Sequence, residues 1–361
     1  MRTTSSGVPE WFGRRVRVAE ALQPAVGVVL VANIQGRTEP FGDYEGDSVI
    51  SEFLTNRELD QFIGSFEDAG IYCEVVIDEE GFLNWLADGV SSFPRRVALV
   101  YNLAQNGTGP ARLSLVPGLC RLRGLPLIDS DAYAVSLARH KFHSCAILRH
   151  FGLPVANSWL FTSRGWLPDR PPQGLRVIAK PTYESASIGI DATSTFSVDA
   201  SSDKYLAERA RIYRQPLTVQ EFINGFEVEV PVFDADGPQS IMAVGIAASG
   251  IRRLDSAILR YDDVRVDGYT FYDFAEQAPS AAIRAMAIAG QAFHGLGLSG
   301  VGRIDFRITD NGEPFIIEVA CKPHLTDHSS FMCAVHNVHG TQADMMKFIV
   351  GAAALRHGIC G

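Results

Sequence analysis

Between Pro24 and Leu103 the chain alternates strand-like and helix-like stretches, and this rhythm restricts its fold more than any other feature. Pro24–Gln35 (PAVGVVLVANIQ) is an apolar, β-branched run, as expected of a strand buried on both faces. The polar stretch Gly36–Asp47 reads as loop. Ser48–Ala69 then carries apolar residues at helical spacing: Ile50, Phe53, Leu54, Leu59, Phe62, Ile63 and Phe66. Ile71–Ile77 predicts a second strand, Gly81–Leu86 a short helix and Arg96–Leu103 a third strand. Parallel strands need long crossovers, usually helical, so this order predicts a parallel sheet covered by helices, a Rossmann-like N-terminal domain. No GxGxxG follows the first strand, so the usual dinucleotide site is not expected.

Composition sets further limits. With 47 % hydrophobic and 20 % charged residues in 361, a large core is easily built and disorder is excluded. The 32 basic residues face 41 acidic ones, and no segment concentrates Lys and Arg, so no nucleic-acid partner is expected. No apolar run approaches the length of a membrane span, and Met1–Arg15 lacks the apolar stretch of a secretory signal. Six cysteines without a CxxC pair suit reduced thiols. The expectation is a soluble, acidic, cytoplasmic α/β protein.

From Ala132 the texture changes. Ala132–Phe151 reads as one amphipathic helix rich in basic residues, followed by short strands. Later come strands at Leu217–Ile223 and Glu227–Phe233, a helix at Ala281–Leu296, and a hairpin. Its arms, Arg303–Ile308 (RIDFRI) and Pro314–Val319 (PFIIEV), flank the turn Thr309-Asp310-Asn311-Gly312. Folding there brings Asp305 level with Glu318. Period-two alternation places Arg303, Asp305 and Arg307 on one face, and Ile316, Glu318 and Ala320 on one face of the partner strand. Two facing acids repel unless a cation lies between them, and oxygen-only ligands suit Mg²⁺. The alternative is a hairpin whose acids sit on a wet face.

Two further segments carry polar groups at strand ends. In Val177–Ile190 (VIAKPTYESASIGI) a strand ends at Lys180, and a loop of small residues follows. Its N–H groups and hydroxyls can wrap phosphate, and the lysine adds a point charge. In Val219–Phe233 (VQEFINGFEVEVPVF), Gln220, Glu221 and Glu227 interrupt two strands where polar side chains can meet an adenine edge and a ribose.

The order of these elements resembles the ATP-grasp superfamily, and within it the D-alanine–D-alanine ligase branch. The resemblance spans roughly residues 95–345 and is firmest from Lys180 onward. It implies an ATP-grasp fold with lobes of α/β and α+β type: an N-terminal domain over 1–130, a central ATP-lid lobe over 131–216 and a C-terminal catalytic lobe over 217–361. It also implies ATP-phosphate contacts from Lys141 and Lys180, and a phosphate loop at Glu184–Gly189 that includes Ser187. Gln220 and Glu221 fall at the adenine amino group, Ile223 at the hinge backbone and Glu227 at the ribose. Arg303 matches the arginine that steadies the acyl phosphate, while Asp305 and Glu318 match two Mg²⁺ ligands, with Mn²⁺ as an alternative metal. The basic segment around Lys141 has a solvated helix face as its lesser alternative, set against a motif match in the right order.

Departures from the branch concern the substrates. Ala320 stands where the third metal ligand, an asparagine, is usual, and His324 replaces a glycine beside the oxyanion pocket. Ala186 replaces the first loop serine, and Ala32-Asn33-Ile34-Gln35 replaces the segment that carries the D-alanine-binding glutamate. Ser329 aligns with the serine that holds the acceptor carboxylate, with a helix N-cap as the alternative. Arg252, Arg253 and Arg260 are open options for a further phosphate contact. Cys321, His324, His328, Cys333, His336 and His339 crowd together in the sequence, which raises zinc, though substrate contact or packing explains them better. The implied activity is ATP-dependent ligation of a small-molecule carboxylate to an amine, with ADP and Pi released, joining amino acids or dipeptides in specialised metabolism. Intramolecular cyclisation and a catalytically inactive nucleotide-binding regulator are the alternatives. A homodimer is carried as an open option.

Overall fold

The computed structural model describes residues 7–44, 47–167, 169–266 and 268–360. The reading of Met1–Arg15 therefore falls partly outside the described residues.

The expected parallel sheet is present. Strands β1 (Val26–Ala32), β2 (Tyr72–Ile77) and β3 (Val97–Asn102) pair in the order β2-β1-β3, all parallel. β1 is buried along its whole length, as its unbroken apolar run requires. Helix α1 (Glu10–Leu22) precedes the sheet, and α2 (Asn56–Asp68) and α3 (Asp78–Asn84) connect and cover it. The long helix read over Ser48–Ala69 is interrupted. A 3₁₀ turn at Val49–Glu52 stops at an extended Phe53, and α2 starts afresh from a Thr55–Glu58 capping box. α4 (Leu115–Arg123) completes the domain.

The basic helix of residues 132–151 is likewise two helices, α5 (Ala132–Arg139) and α6 (Lys141–His150). His140 is extended (φ −85°, ψ 90°), and its imidazole accepts a hydrogen bond from the His143 N–H at 3.3 Å, capping α6. The break frees the Lys141 N–H to bond the Thr182 carbonyl at 3.2 Å, which ties this helix start to the loop after Lys180.

The central sheet contains β4 (Ser158–Thr162), β5 (Gly165–Leu167), β6 (Arg176–Pro181), β7 (Thr195–Ser197) and β8 (Leu217–Glu221), covered by α7 (Ser202–Ile212). Its order is β5-β4-β8-β6-β7, antiparallel throughout. β8 thus lies between β4 and β6, and a lobe boundary at 216/217 would cut this sheet. The passage to the next sheet is Phe222–Gly225. Gly225 is required there: at φ 139°, a Cβ would lie 2.0 Å from the Ile308 carbonyl oxygen.

The third sheet runs β12-β11-β9-β13-β14, with β9 (Phe226–Asp234), β10 (Pro238–Gln239, paired to β9), β11 (Val244–Ala248), β12 (Tyr269–Asp273), β13 (Val301–Ile308) and β14 (Pro314–Ala320). After β11 comes the short α8 (Tyr261–Arg265), and α9 (Pro279–Gly295) packs its alanine-rich face on β9 and β13. Helices α5 and α6 join that same core through Val135, Ala138, Cys145 and Leu148. The chain closes with α10 (Ser330–Asn337) and α11 (Gln342–Arg356), and α11 packs back on α1, where Phe12 stacks on Phe348 at 4.7 Å.

Strict period-two alternation fails at one place in the hairpin. Asp305 pairs with Glu318, but Phe306 pairs with Ile316, so Ile317 is a bulge. Ile316 therefore lies in the core with Phe306, whereas Ile317 and Glu318 both turn to the open side. The expectation that Ile316 shares the Glu318 face is corrected accordingly.

Candidate active site

A cavity of about 240 Å³ lies where the three sheets approach one another. The N-terminal domain supplies Glu52, Leu54, Phe62, Leu103 and Gln105. Lys180, the 184–188 stretch and Gln220 come from the central lobe, and Glu227, Glu229, Arg303, Asp305 and Glu318 from the third sheet. Lys141 enters from the start of α6.

Strand register builds a row of acids. Glu229 on β9 pairs across to Asp305 on β13, and Asp305 pairs across to Glu318 on β14. Cations separate them. Arg303 holds Asp305 in two hydrogen bonds of 2.7 and 2.8 Å and reaches Glu229 at 3.1 Å, and Lys141 Nζ lies 3.1 Å from Glu318. Burial would raise the Glu318 carboxyl, but Lys141 and Lys180 outweigh it and hold its pKa below the usual value. Asp305 moves the other way, because burial exceeds the pull of Arg303. Burial pushes Glu229 up to about 7, with Arg303 opposing and Asp305 adding. Arg303 stays charged despite its burial because Asp305 and Glu229 flank it.

The second group of polar residues lines the same cavity from the central lobe. Lys180 is buried at the end of β6, with Nζ 3.4 Å from Gln220 Oε1; burial lowers its pKa. Gln220 is buried and pairs across to Ile178 and Ser158. Glu221 accepts from Asn157 at 2.7 Å, and Glu227 pairs with Arg307 at 3.0 Å. Ile223 borders the cavity in the β8–β9 connection. The loop 184–189 holds left-handed backbone at Ala186, Ser187 and Gly189. Such conformations cost ~1–3 kcal/mol for each non-glycine residue and persist only where the surroundings impose them. At Gly189 a Cβ would meet Pro181 Cγ at 2.4 Å, so glycine is required. Ser187 Oγ donates to the Leu259 carbonyl at 3.1 Å.

The family model described as D-ala D-ala ligase C-terminus matches residues 147–350, more than half of the chain. The chain belongs to this family. D-alanine–D-alanine ligase from Anaeromyxobacter dehalogenans (strain 2CP-C) is 29 % identical over 246 residues, covering 67 % of this chain and 75 % of that protein. Uncharacterized protein y4sG of Sinorhizobium fredii (strain NBRC 101917 / NGR234) is 22 % identical over 316 residues, covering 84 % and 90 %. Among solved structures, D-alanine–D-alanine ligase from Bacillus anthracis complexed with ATP shares the fold, with a TM-score of 0.66 at 13 % identity over 92 % of this chain and 98 % of that one. The fold is therefore ATP-grasp, and the protein is an ATP-dependent carbon–nitrogen ligase.

Within this ligase, one cluster escaped sequence reading. Glu52, at the end of the 3₁₀ turn, is buried and accepts from Arg112 at 2.9 Å, from Arg139 at 3.0 and 2.8 Å, and from the N–H and Oγ of Ser185 at 3.0 and 2.8 Å. Burial favours its neutral form, yet Arg112, Arg139 and Ser185 together hold its pKa far below the ordinary value. Glu184 continues the cluster, accepting from Tyr44 at 2.7 Å, Gln215 at 3.0 Å and Arg112 at 2.7 Å. Both Glu184 oxygens are thus engaged within the protein, and its side chain fixes the loop; its carbonyl bonds Lys141. Asp47 adds a second tie, accepting from the Gly189 N–H at 2.8 Å and the Tyr213 hydroxyl at 2.7 Å. The only sequence signal was a pair of charged residues, Glu52 and Arg112, in stretches otherwise apolar or small.

Two other expectations change. Ser329 is the N-cap of α10, accepting from the Met332 N–H at 3.2 Å and donating to the Thr326 carbonyl at 2.7 Å, and it is not on the cavity wall. The N-cap alternative replaces substrate contact. Arg252, Arg253 and Arg260 pair with Glu276, Asp310 and Asp263 outside the cavity, while Arg139 and Lys322 line it. His324 does line the cavity. Among the described residues no three His, Cys, Asp or Glu side chains are placed to share a metal, and His328 instead contacts the Tyr269 carbonyl at 3.1 Å. No helix among the described residues is long and apolar enough to cross a membrane.

Proposed function

We propose that the protein activates a small-molecule carboxylate as an acyl phosphate and joins it to an amine, releasing ADP and Pi, with amino acids or dipeptides of specialised metabolism as substrates. The observation that carries this reading is the meeting of Lys141, Lys180, Arg303, Asp305 and Glu318 on one cavity wall. In the first step a carboxylate oxygen attacks the γ-phosphorus and the bond to the ADP oxygen breaks. In the second, the amine nitrogen attacks the acyl carbon, the carbon–oxygen bond to phosphate breaks, and the nitrogen gives up a proton.

Lys141 and Lys180 neutralise phosphate charge, and Arg303 steadies the acyl phosphate and the oxyanion that follows. Gln220 and Glu221 face the adenine amino group, the Ile223 backbone borders the ring and Glu227 takes the ribose hydroxyls. The backbone of 184–189, with Ser187, encloses the phosphates, and its ties to Glu52 and Asp47 help exclude water from the intermediate. His324 borders the acyl end. Asp305, buried, and Glu318, half-buried, form an oxygen-only pair in register beside cations, which fits Mg²⁺ or Mn²⁺. When bound, the metal would offset charge on the transferring phosphoryl group. The test is a screen of amino-acid pairs with Mg-ATP, scored for nucleotide product. ADP with Pi is expected; AMP with pyrophosphate would overturn the proposal.

A further inference from the structure

Two buried acceptor atoms on the cavity wall have no donor at close hydrogen-bond distance, Glu229 Oε2 and Gln105 Oε1, although the Ser330 hydroxyl also acts on the Glu229 carboxylate. The other wall carboxylates are engaged. Glu52 and Glu184 share Arg112, Glu227 pairs with Arg307, Asp305 with Arg303, Glu318 with Lys141, and Glu221 with Asn157. A buried carboxylate oxygen left without a close donor is costly, and a ligand that brings N–H donors removes the cost. Glu229 itself is 7 % exposed, so it faces the cavity and not bulk water. Its Oε1 lies 3.1 Å from Arg303. A cation on Oε2 would therefore be one residue away from the group that holds the acyl phosphate.

The adjoining wall is apolar. Leu103 and Gln105 follow the carboxyl end of β3, and Leu54 bridges to Ile34 just beyond β1. Ligands of open parallel sheets bind at this end of the strands. Phe62 from α2 and Tyr269 from β12 also line the cavity.

We propose that the carboxylate substrate is an α-amino acid with a bulky apolar side chain, its ammonium held by Glu229 and Gln105 and its side chain by Leu54, Phe62, Leu103 and Tyr269. An ammonium held in an ion pair is no nucleophile, so this amino acid supplies the carboxylate, and the amine comes from the second substrate. The assignment rests on the carboxylate–amine ligase reading above.

The experiment uses hydroxylamine as the amine, and measures ADP and the hydroxamate formed from four acids: phenylalanine and leucine (both enantiomers), alanine, and 3-phenylpropanoate, which lacks the amino group. For the wild type, kcat/KM with phenylalanine or leucine should exceed that with alanine and with 3-phenylpropanoate by about tenfold or more. Glu229→Gln should bring the ratio of phenylalanine to 3-phenylpropanoate close to one. Leu103→Phe, which narrows the apolar wall, should cut the ratio of phenylalanine to alanine by about tenfold. Equal turnover of phenylalanine, alanine and 3-phenylpropanoate by the wild type would overturn the assignment while keeping the ligase reading. So would a folded Glu229→Gln variant with unchanged ratios. Should Glu229→Gln not fold, the wild-type ratios and Leu103→Phe decide the matter alone. No ADP with any carboxylate would overturn the ligase reading and this assignment together.

Discussion

Glu52→Gln should loosen the attachment of the 184–189 loop and destabilise the whole fold. The carboxylate accepts five hydrogen bonds, three from guanidinium groups and two from Ser185. After substitution Arg112 keeps Glu184 at 2.7 Å, but the next acid for Arg139 is Glu184 at 3.8 Å. One buried cation thus loses its close partner, a loss of about 3–5 kcal/mol. At about 2–4 °C per kcal/mol for domains somewhat smaller than this chain, Tm should fall by about 6 °C or more. The pH dependence has a definite sign. The folded pKa lies below the ordinary 4.5, so the stabilisation is complete above about pH 4.5 and is lost as pH falls through the folded value. The gap between wild type and variant, measured by thermal unfolding, should therefore be flat from about pH 5 to 8 and shrink in acid. Glu52→Met with Arg139→Met should recover stability, since an apolar pair removes both buried charges, yet ATP KM should stay raised because Ser185 still lacks its acceptor. An unchanged Tm and ATP KM in Glu52→Gln would refute the reasoning.

Lys180→Met keeps most of the stem and removes the charge; ATP KM should rise, or kcat fall, by about tenfold or more, equivalent to ~1.4 kcal/mol, while thermal unfolding stays near wild type. In Mg²⁺ titrations of phosphate release, Glu318→Gln should abolish turnover yet still bind some ATP, and Ala320→Asn should lower the Mg²⁺ requirement. A Glu318→Gln titration like that of wild type would mean that the acid pair is only a hairpin face. With Ala186 in the loop and no glutamate in Ala32-Asn33-Ile34-Gln35, little D-alanyl-D-alanine should form from D-alanine, as checked by chromatography of the product.

How far the sequence carried differs by distance along the chain. Strand β1 was legible because burial on both faces demands an unbroken apolar run, and the hairpin because its turn residues stand between two alternating arms. The breaks at Phe53 and His140 were not legible, since apolar spacing continues across them and only tertiary bonds, such as Lys141 N–H to Thr182, fix the new helix starts. The bulge at Ile317 was hidden for a similar reason: alternation alone cannot reveal that Ile316 must share a layer with Phe306. Sequence order and family resemblance brought Lys141, Lys180, Arg303, Asp305 and Glu318 into one set, and all five line one cavity. The resemblance did not extend to Glu52, Arg112 and Glu229. Their partners lie far away in sequence or on a neighbouring strand, so no local spacing marks them.

The most direct test of the central claim follows oxygen. With a competent amino-acid pair, the activated carboxylate is labelled with ¹⁸O and the products are examined by mass spectrometry. Attack of that carboxylate on the γ-phosphorus, followed by loss of phosphate to the amine, moves a labelled oxygen into Pi and leaves ADP unlabelled. Label in AMP, or Pi without label beside a formed amide, would contradict the acyl-phosphate route.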